Sequence, residues 1–208
     1  MIDTVIQSML STIAGINGKV EGAFNLRENG QGVERYSTEN IKIVPKKDKP
    51  GIDIFIRPGT RGEQVHIPVV LTQSGLNDLV YNDFFIGEGA DVTIIAGCGI
   101  HNDGCDTTEH DGIHSFKIGK NAHIRYVEKH YGEGTGTGER VLNPTTIVDM
   151  DEGSSCEMEM VQIAGVSSTI RKTEANLGAG AKLLITERLI THDDQKADSD
   201  VVIHLNGA

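Results

Sequence analysis

The sequence predicts a mainly β protein, a right-handed parallel β-helix preceded by one short N-terminal helix. Three observations carry this. Glycine is frequent at 25 of 208 residues while Trp is absent and aromatics make up 4%, a composition that suits many short strands joined by tight turns. Short apolar runs alternate with polar residues from about residue 41 onward. A corner of the form Gly-x-[Gly/Asn]-Ala followed by an alternating stretch recurs: Gly87-Glu88-Gly89-Ala90, Gly119-Lys120-Asn121-Ala122 and Gly178-Ala179-Gly180-Ala181, with a degenerate copy at Asp151-Glu152-Gly153-Ser154. The corners begin at 87, 119, 151 and 178, intervals of 32, 32 and 27 residues, and such a period marks a repeat architecture. One unit cannot bury its own apolar face. Stacking units at the strand spacing of roughly 4.8 Å gives a continuous core. A β-sandwich is the competing reading, but its hairpins would recur about every 8 to 12 residues with Asn-Gly or Asp-Gly turns.

The elements follow in order. Ile2, Val5, Ile6, Met9, Leu10 and Ile13 fall at three- and four-residue spacings and form one apolar stripe, stopped by Gly15 and Gly18, so the first segment is a packing or capping helix. Residues 1–40 form a helical or irregular segment and residues 41–208 the β-helix. Ile41-Lys42-Ile43-Val44 and Ile52-Asp53-Ile54-Phe55-Ile56 alternate as strands. The Lys46-Lys47-Asp48-Lys49 cluster between Pro45 and Pro50 reads as a solvated loop, and Gly132 to Gly138 as a flexible turn. The sequence closes on the strand-like Val201-Val202-Ile203-His204-Leu205 without a visible cap, an edge that a partner or further chain is expected to cover.

Charge limits the partners. With 30 Asp+Glu against 19 Lys+Arg the formal net charge is -11, which repels phosphate backbones and anionic lipid, so neither nucleic acid nor a membrane surface is expected. No window approaches the roughly 18 consecutive apolar residues of a membrane span, and Met1-Ile2-Asp3 lacks a basic leader. A cytoplasmic protein is the expectation. Three cysteines, Cys98, Cys105 and Cys156, point to free thiols or metal ligands more than to a disulfide framework.

Ligand-type side chains are densest between Cys98 and His114: Cys98, His101, Asp103, Cys105, Asp106, Glu109, His110, Asp111 and His114. Thiolate with imidazole suits zinc or iron–sulfur chemistry, and the candidate metal ligands are Cys98, Cys105, His101 and His114. Glycines 97, 99, 104 and 112 would let the backbone gather them. Gly112 between His110 and His114 argues against a helix aligning the two imidazoles. A solvated acidic loop is the alternative for Asp103, Asp106, Glu109 and Asp111. Cys98 ends an alternating run and also reads as a buried small residue. Cys156 alternates with Met158 and Met160 as core, and Cys105 lies in a polar loop as the most exposed thiol. No phosphate-binding loop or Gly-x-Ser-x-Gly elbow occurs.

The order Gly87-Glu88-Gly89-Ala90-Asp91-Val92, Ala96-Gly97-Cys98, His114, and Asn121-Ala122-His123-Ile124-Arg125-Tyr126 resembles the core of the SufB/SufD family of iron–sulfur cluster assembly scaffolds. Thr191-His192-Asp193-Asp194-Gln195-Lys196-Ala197-Asp198 with Ile203-His204 resembles that family's His-x-Gln-x-Ala-Asp segment and the strand after it. The likeness covers about residues 70–208. It implies a β-helical scaffold, not a stand-alone enzyme, that pairs with a SufB/SufD-type subunit or as a homodimer through the β-helix end. A SufC-type ATPase would drive it and an iron–sulfur cluster would form on it transiently, with Cys98 matching the cysteine implicated in sulfur acceptance or transfer. A persulfide requires an accessible, deprotonated sulfur. The family's Gln and Trp after the Tyr strand correspond to about His130 and Tyr131, its Lys falls near Thr145 or Thr146, and its C-terminal portion with the second cysteine has no counterpart before Ala208. A zinc-dependent enzyme built on the Cys98–His114 cluster, or a purely structural association module, are the alternatives.

Overall fold

The computed structural model describes residues 4–207. Helix α1 (Thr4–Ala14) precedes strands β1 (Ala23–Glu28), β2 (Gln31–Tyr36), β3 (Ile41–Pro45), β4 (Gly51–Ile56), β5 (Arg61–Leu71), β6 (Asn77–Ile86), β7 (Asp91–His101) and β8 (Thr108–Ile118). There follow β9 (His123–Glu133), β10 (Arg140–Leu142), β11 (Thr145–Met150), β12 (Ser155–Ala164), β13 (Ser168–Leu177), β14 (Lys182–Leu189) and β15 (Lys196–Leu205). The strands go to two sheets, alternating from β4 to β10 and again from β11. One runs β14-β12-β9-β7-β5-β1-β2 and the other β10-β13-β11-β8-β6-β4-β3, with β15 on β13. Apart from the antiparallel hairpins β1–β2 and β3–β4, the pairings are parallel, as in β5–β7, β7–β9, β6–β8 and β11–β13. The chain is a parallel β-helix of about five turns, the architecture that the corner repeat predicts.

The corners explain their own sequence. Gly89, Asn121, Gly153 and Gly180 occupy the third corner position with φ of 65°, 55°, 68° and 66°, the left-handed region that glycine and asparagine tolerate best. Corner stacks on corner through backbone bonds such as Gly87 N to Ile56 O, Gly119 N to Ile86 O and Asp151 N to Ile118 O, each 2.9 Å. Gly59, φ 72°, plays the same part in Arg57-Pro58-Gly59-Thr60, an earlier corner that the Gly-x-[Gly/Asn]-Ala pattern does not reveal because Arg57 and Thr60 stand where the pattern has Gly and Ala.

Strand β1 pairs in parallel with β5, so the solenoid sheet begins before residue 40, inside the segment expected to be helical or irregular. Helix α1 lies on the outer face of that sheet. A Cβ at Gly97 would sit 2.7 Å from Ile13 O, and one at Gly99 2.9 Å from Met9 Cε. These two glycines therefore admit the helix and do not gather metal ligands. Gly104 meets Ser74, whose Oγ would lie 2.3 Å from an added Cβ. The Gly132–Gly138 stretch is no free turn. Gly136 N and Gly138 N donate to Asn102 O and Gly104 O at 3.1 and 3.0 Å, and a Cβ at Gly136 or Gly138 would lie 2.2 Å from a carbonyl oxygen of the loop below.

Inward-facing side chains divide the interior in two. Beside the corners it is aliphatic and aromatic: Ile54, Phe84, Phe116, Val148 and Ala175 stack rung on rung, with the Phe84 and Phe116 rings 4.4 Å apart and 1° from parallel. Further along the same strands the inward positions turn polar. There Asp78, Asn82, His110, His114, Glu128, His130, Thr146, Gln162, Thr169, Arg171 and Thr173 are all buried. Among the described residues no helix is long and apolar enough to cross a membrane.

Candidate functional site

Strand register assembles the polar half. In one sheet Val69, Cys98 and His130 are successive neighbours, with Gln162 on the next rung beside His130. In the other, Asp78 pairs with His110 and Asn82 with His114, which pairs with Thr146 and then Thr173. Residues separated by an even number along a strand share a face. Hence His110, Gly112 and His114 all point inward from β8, and Tyr126, Glu128 and His130 from β9. A strand does here what Gly112 would have prevented in a helix.

The side chains form two linked systems. Arg27 clamps Asp78 through Nε to Oδ2 at 2.9 Å and Nη2 to Oδ1 at 2.5 Å, and Asp78 Oδ2 lies 3.0 Å from His110 Nδ1. Deeper in, Arg171 Nη2 donates to Glu128 Oε2 at 2.6 Å, Nη1 meets His130 Nδ1 at 3.1 Å, and Nε reaches Glu187 Oε1 at 3.2 Å. Tyr126 Oη donates to Glu128 Oε1 at 3.0 Å and lies 3.3 Å from His114 Nδ1. Donor and acceptor identity fixes the tautomers. Arginine has no acceptor, so His130 Nδ1 is a bare lone pair. A carboxylate only accepts, so His110 Nδ1 donates to Asp78. The single Tyr126 hydroxyl proton goes to Glu128, so His114 Nδ1 donates to the tyrosine oxygen.

Burial and charge then set the protonation states. Burial works to raise the Glu128 carboxyl, but His130 and Arg171 hold it at about 2. Burial lowers His114 to about 4 and His130 to about 3 against the pull of Glu128, leaving both imidazoles neutral near pH 7. Asp78 is held well below the usual carboxylate range because its bonds to Arg27 and His110 outweigh burial. The Cys98 thiol is pushed well up, first by burial and then by the Glu128 and Asp78 carboxylates. At rest it is a thiol.

Cys98 and His114 lie inside, on opposite sheets, at 3% and 2% exposure. His101 sits at the rim, its Nε2 2.9 Å from Asp103 and its Nδ1 3.1 Å from Glu133. Cys105 is exposed, and Cys156 is buried in the apolar core on the same face of β12 as Met158 and Met160. Among the described residues no three His, Cys, Asp or Glu side chains converge as a metal-ligand set. The four candidate ligands thus fall into two separate places, interior and rim. Nor do the thiols fit a resident cluster, which takes about four thiolates; one cysteine faces this polar interior. Sequence reasoning missed Glu128 and Arg171, although Tyr126-x-Glu128-x-His130 continues the inward parity of Ile124. Lys46, read as part of a solvated loop, is 6% exposed at its side chain and bridges Asp53 and Asp83. It borders a cleft of about 330 Å³ with Arg27, Arg35 and Lys49, whose wall includes Val69, Val80 and Asn82. Those three are the register neighbours of Cys98, Gly112 and His114, so the cleft stops one rung short of them.

The fold and site define a β-helix with an ionised polar interior. No protein-family model matches the chain, and no curated protein matches it.

Proposed function

We propose that the chain is a scaffold subunit of the SUF iron–sulfur cluster assembly machinery, working with a SufB/SufD-type subunit and a SufC-type ATPase, and that Cys98 receives sulfur on it. The observation that carries this reading is the inward placement of Cys98 within electrostatic reach of Glu128, Asp78 and Arg171, inside a solenoid whose repeat and motif order resemble that family.

The sulfur step balances without an external oxidant. A Cys98 thiolate attacks the outer sulfur of a donor persulfide, the donor's S–S bond breaks, the donor leaves as a thiolate, and Cys98 carries the persulfide. The resting chain is poorly set for this because burial keeps the thiol protonated and covered. Thiolate chemistry therefore requires that the interior open or that a proton acceptor approach Cys98. An ATP-driven partner supplies such an opening, which is why the chain reads as part of an assembly and not as an enzyme by itself. Iron and sulfide are cargo in this scheme.

Two measurements test it. Full-length protein co-expressed with a SufC-type ATPase co-purifies with it in stoichiometric amounts. Anaerobic reconstitution of that complex with iron and sulfide gives thiolate-to-iron absorption that Cys98→Ala abolishes and Cys105→Ala leaves in place. Equal absorption in wild type and Cys98→Ala, or no association with the ATPase, contradicts the proposal.

A further inference from the structure

The buried pair His110 and His114 carries a second inference, which does not rest on the scaffold reading. His110 is 2% exposed, and its Nε2 has no hydrogen-bond partner. A buried polar atom with no hydrogen bond is destabilising, so this atom calls for an occupant. Its direction is fixed by Asp78, which engages Nδ1. On the same face His114 Nδ1 is engaged by Tyr126, which turns His114 Nε2 the same way. An added Cβ at Gly112 would lie 2.9 Å from His114 Nε2 and 3.3 Å from His110 Nε2. Both ring nitrogens thus lie beside Gly112, within 3.3 Å of where its Cβ would be.

Tautomer logic gives this space its chemistry. Each Nδ1 is a donor, so each Nε2 of a neutral ring is a lone pair. Two lone pairs held this close to one another repel unless something electron-deficient lies between them. The outer partners match a pattern that metal-binding histidines use, in which the second ring nitrogen donates to a carboxylate or other oxygen that orients the ring and raises its basicity. Here Asp78, itself clamped by Arg27, serves His110, and Tyr126, hydrogen-bonded to Glu128, serves His114.

We propose that His110 and His114 bind a divalent transition-metal ion of the Zn²⁺, Fe²⁺ or Co²⁺ class through their Nε2 atoms, above Gly112. Imidazole nitrogen suits this class. With no third His, Cys, Asp or Glu in a set among the described residues, the remaining coordination positions belong to water or a small exogenous ligand. An open site of this kind can bind and exchange a further ligand.

Cobalt(II) titrated anaerobically into the full-length protein, followed by its visible d–d spectrum and by equilibrium dialysis, tests this. Wild type binds one Co²⁺ at the buried site. His110→Gln, His114→Gln and Gly112→Ala each weaken that binding at least about tenfold, and the rim variant His101→Gln does not. Gly112→Ala keeps both imidazoles but places a methyl group 2.9 Å from His114 Nε2 and 3.3 Å from His110 Nε2, crowding both, and far-UV circular dichroism shows that each variant is folded. Absence of a Co²⁺ site in wild type, or an affinity in His110→Gln or His114→Gln equal to that of wild type, overturns the proposal and leaves a bridging water as the occupant. Co-purification with the ATPase is independent of this result, so the two proposals fail separately.

Discussion

Replacing Arg171 with methionine isolates the electrostatics of the interior. Arg171 and Glu128 are 2% and 1% exposed at their side chains and 2.6 Å apart. Removing the guanidinium leaves a buried carboxylate without its counter-ion, a change that costs about 3–5 kcal/mol. The carboxyl itself gives a consistent figure: held at about 2 rather than its ordinary 4.5, it stabilises the fold by about 3 kcal/mol. The sign with pH follows. A carboxyl depressed in the folded state contributes stability present above about 4.5 and lost as pH falls through about 2. In Arg171→Met burial prevails and the carboxyl rises, so acidification neutralises it and relieves the variant. Urea unfolding of both proteins should show a deficit of about 3–5 kcal/mol at pH 7 that shrinks to about 2–3 kcal/mol at pH 4, where the wild-type carboxyl is still ionised. Comparing two proteins cancels most of the titration of His114. His130 gains a proton more easily without Arg171, which acts in the same direction. A deficit under about 1 kcal/mol at pH 7, or one independent of pH, refutes the reasoning.

Other consequences are equally direct. Wild-type stability falls as pH drops below about 6.5, because unfolding lets the buried neutral His114 and His130 take up protons that the fold refuses until about 4 and 3; urea midpoints across pH 7 to 4 should show His130→Gln with a slope shallower by about 1.4 kcal/mol per pH unit. Tyr126→Phe removes one donor to Glu128 and the acceptor for His114 Nδ1, and should cost about 1–3 kcal/mol in chemical denaturation. Phe84→Ala breaks the ring stack on Phe116 and should cost about 3–5 kcal/mol, read as a fall in Tm. Native alkylation followed by peptide mass spectrometry should label Cys105 promptly and leave Cys98 and Cys156 protected until unfolding, since both are buried and burial raises each thiol, Cys156 to about 12.

The fold was legible because a corner is a local event. Gly89, Asn121, Gly153 and Gly180 each answer a backbone requirement at one position, and their spacing states the rung length without knowledge of what stacks on what. The stripe of α1 was equally local, but its resting place was not, since Gly97 and Gly99 show their purpose only once Ile13 and Met9 lie over them. The polar interior hid for another reason. Glu128, His130 and Arg171 are charged or polar types that normally face water, and only their inward parity, read against a known rung, places them inside. Density along the chain drew attention instead to Cys98 through His114, where alternate residues face opposite ways. Parity is why Cys98 and His114 went in and His101 stayed at the rim, while Cys105 stayed outside because it lies in the loop between β7 and β8. The basic cleft gathers Arg27 and Arg35 with Lys46 and Lys49, cations separated in sequence and joined only by the two hairpins.

The central claim, that Cys98 is the sulfur acceptor of an ATPase-driven scaffold, is tested most directly by sulfur loading. The full-length protein, assembled with a SufC-type ATPase and a SufB/SufD-type subunit, is incubated anaerobically with a protein persulfide donor, then trapped with an alkylating reagent and mapped by mass spectrometry. The account predicts one added sulfur on Cys98, dependent on ATP and absent from Cys156. Added sulfur confined to the exposed Cys105, or loading of Cys98 unchanged when the ATPase and ATP are omitted, contradicts it.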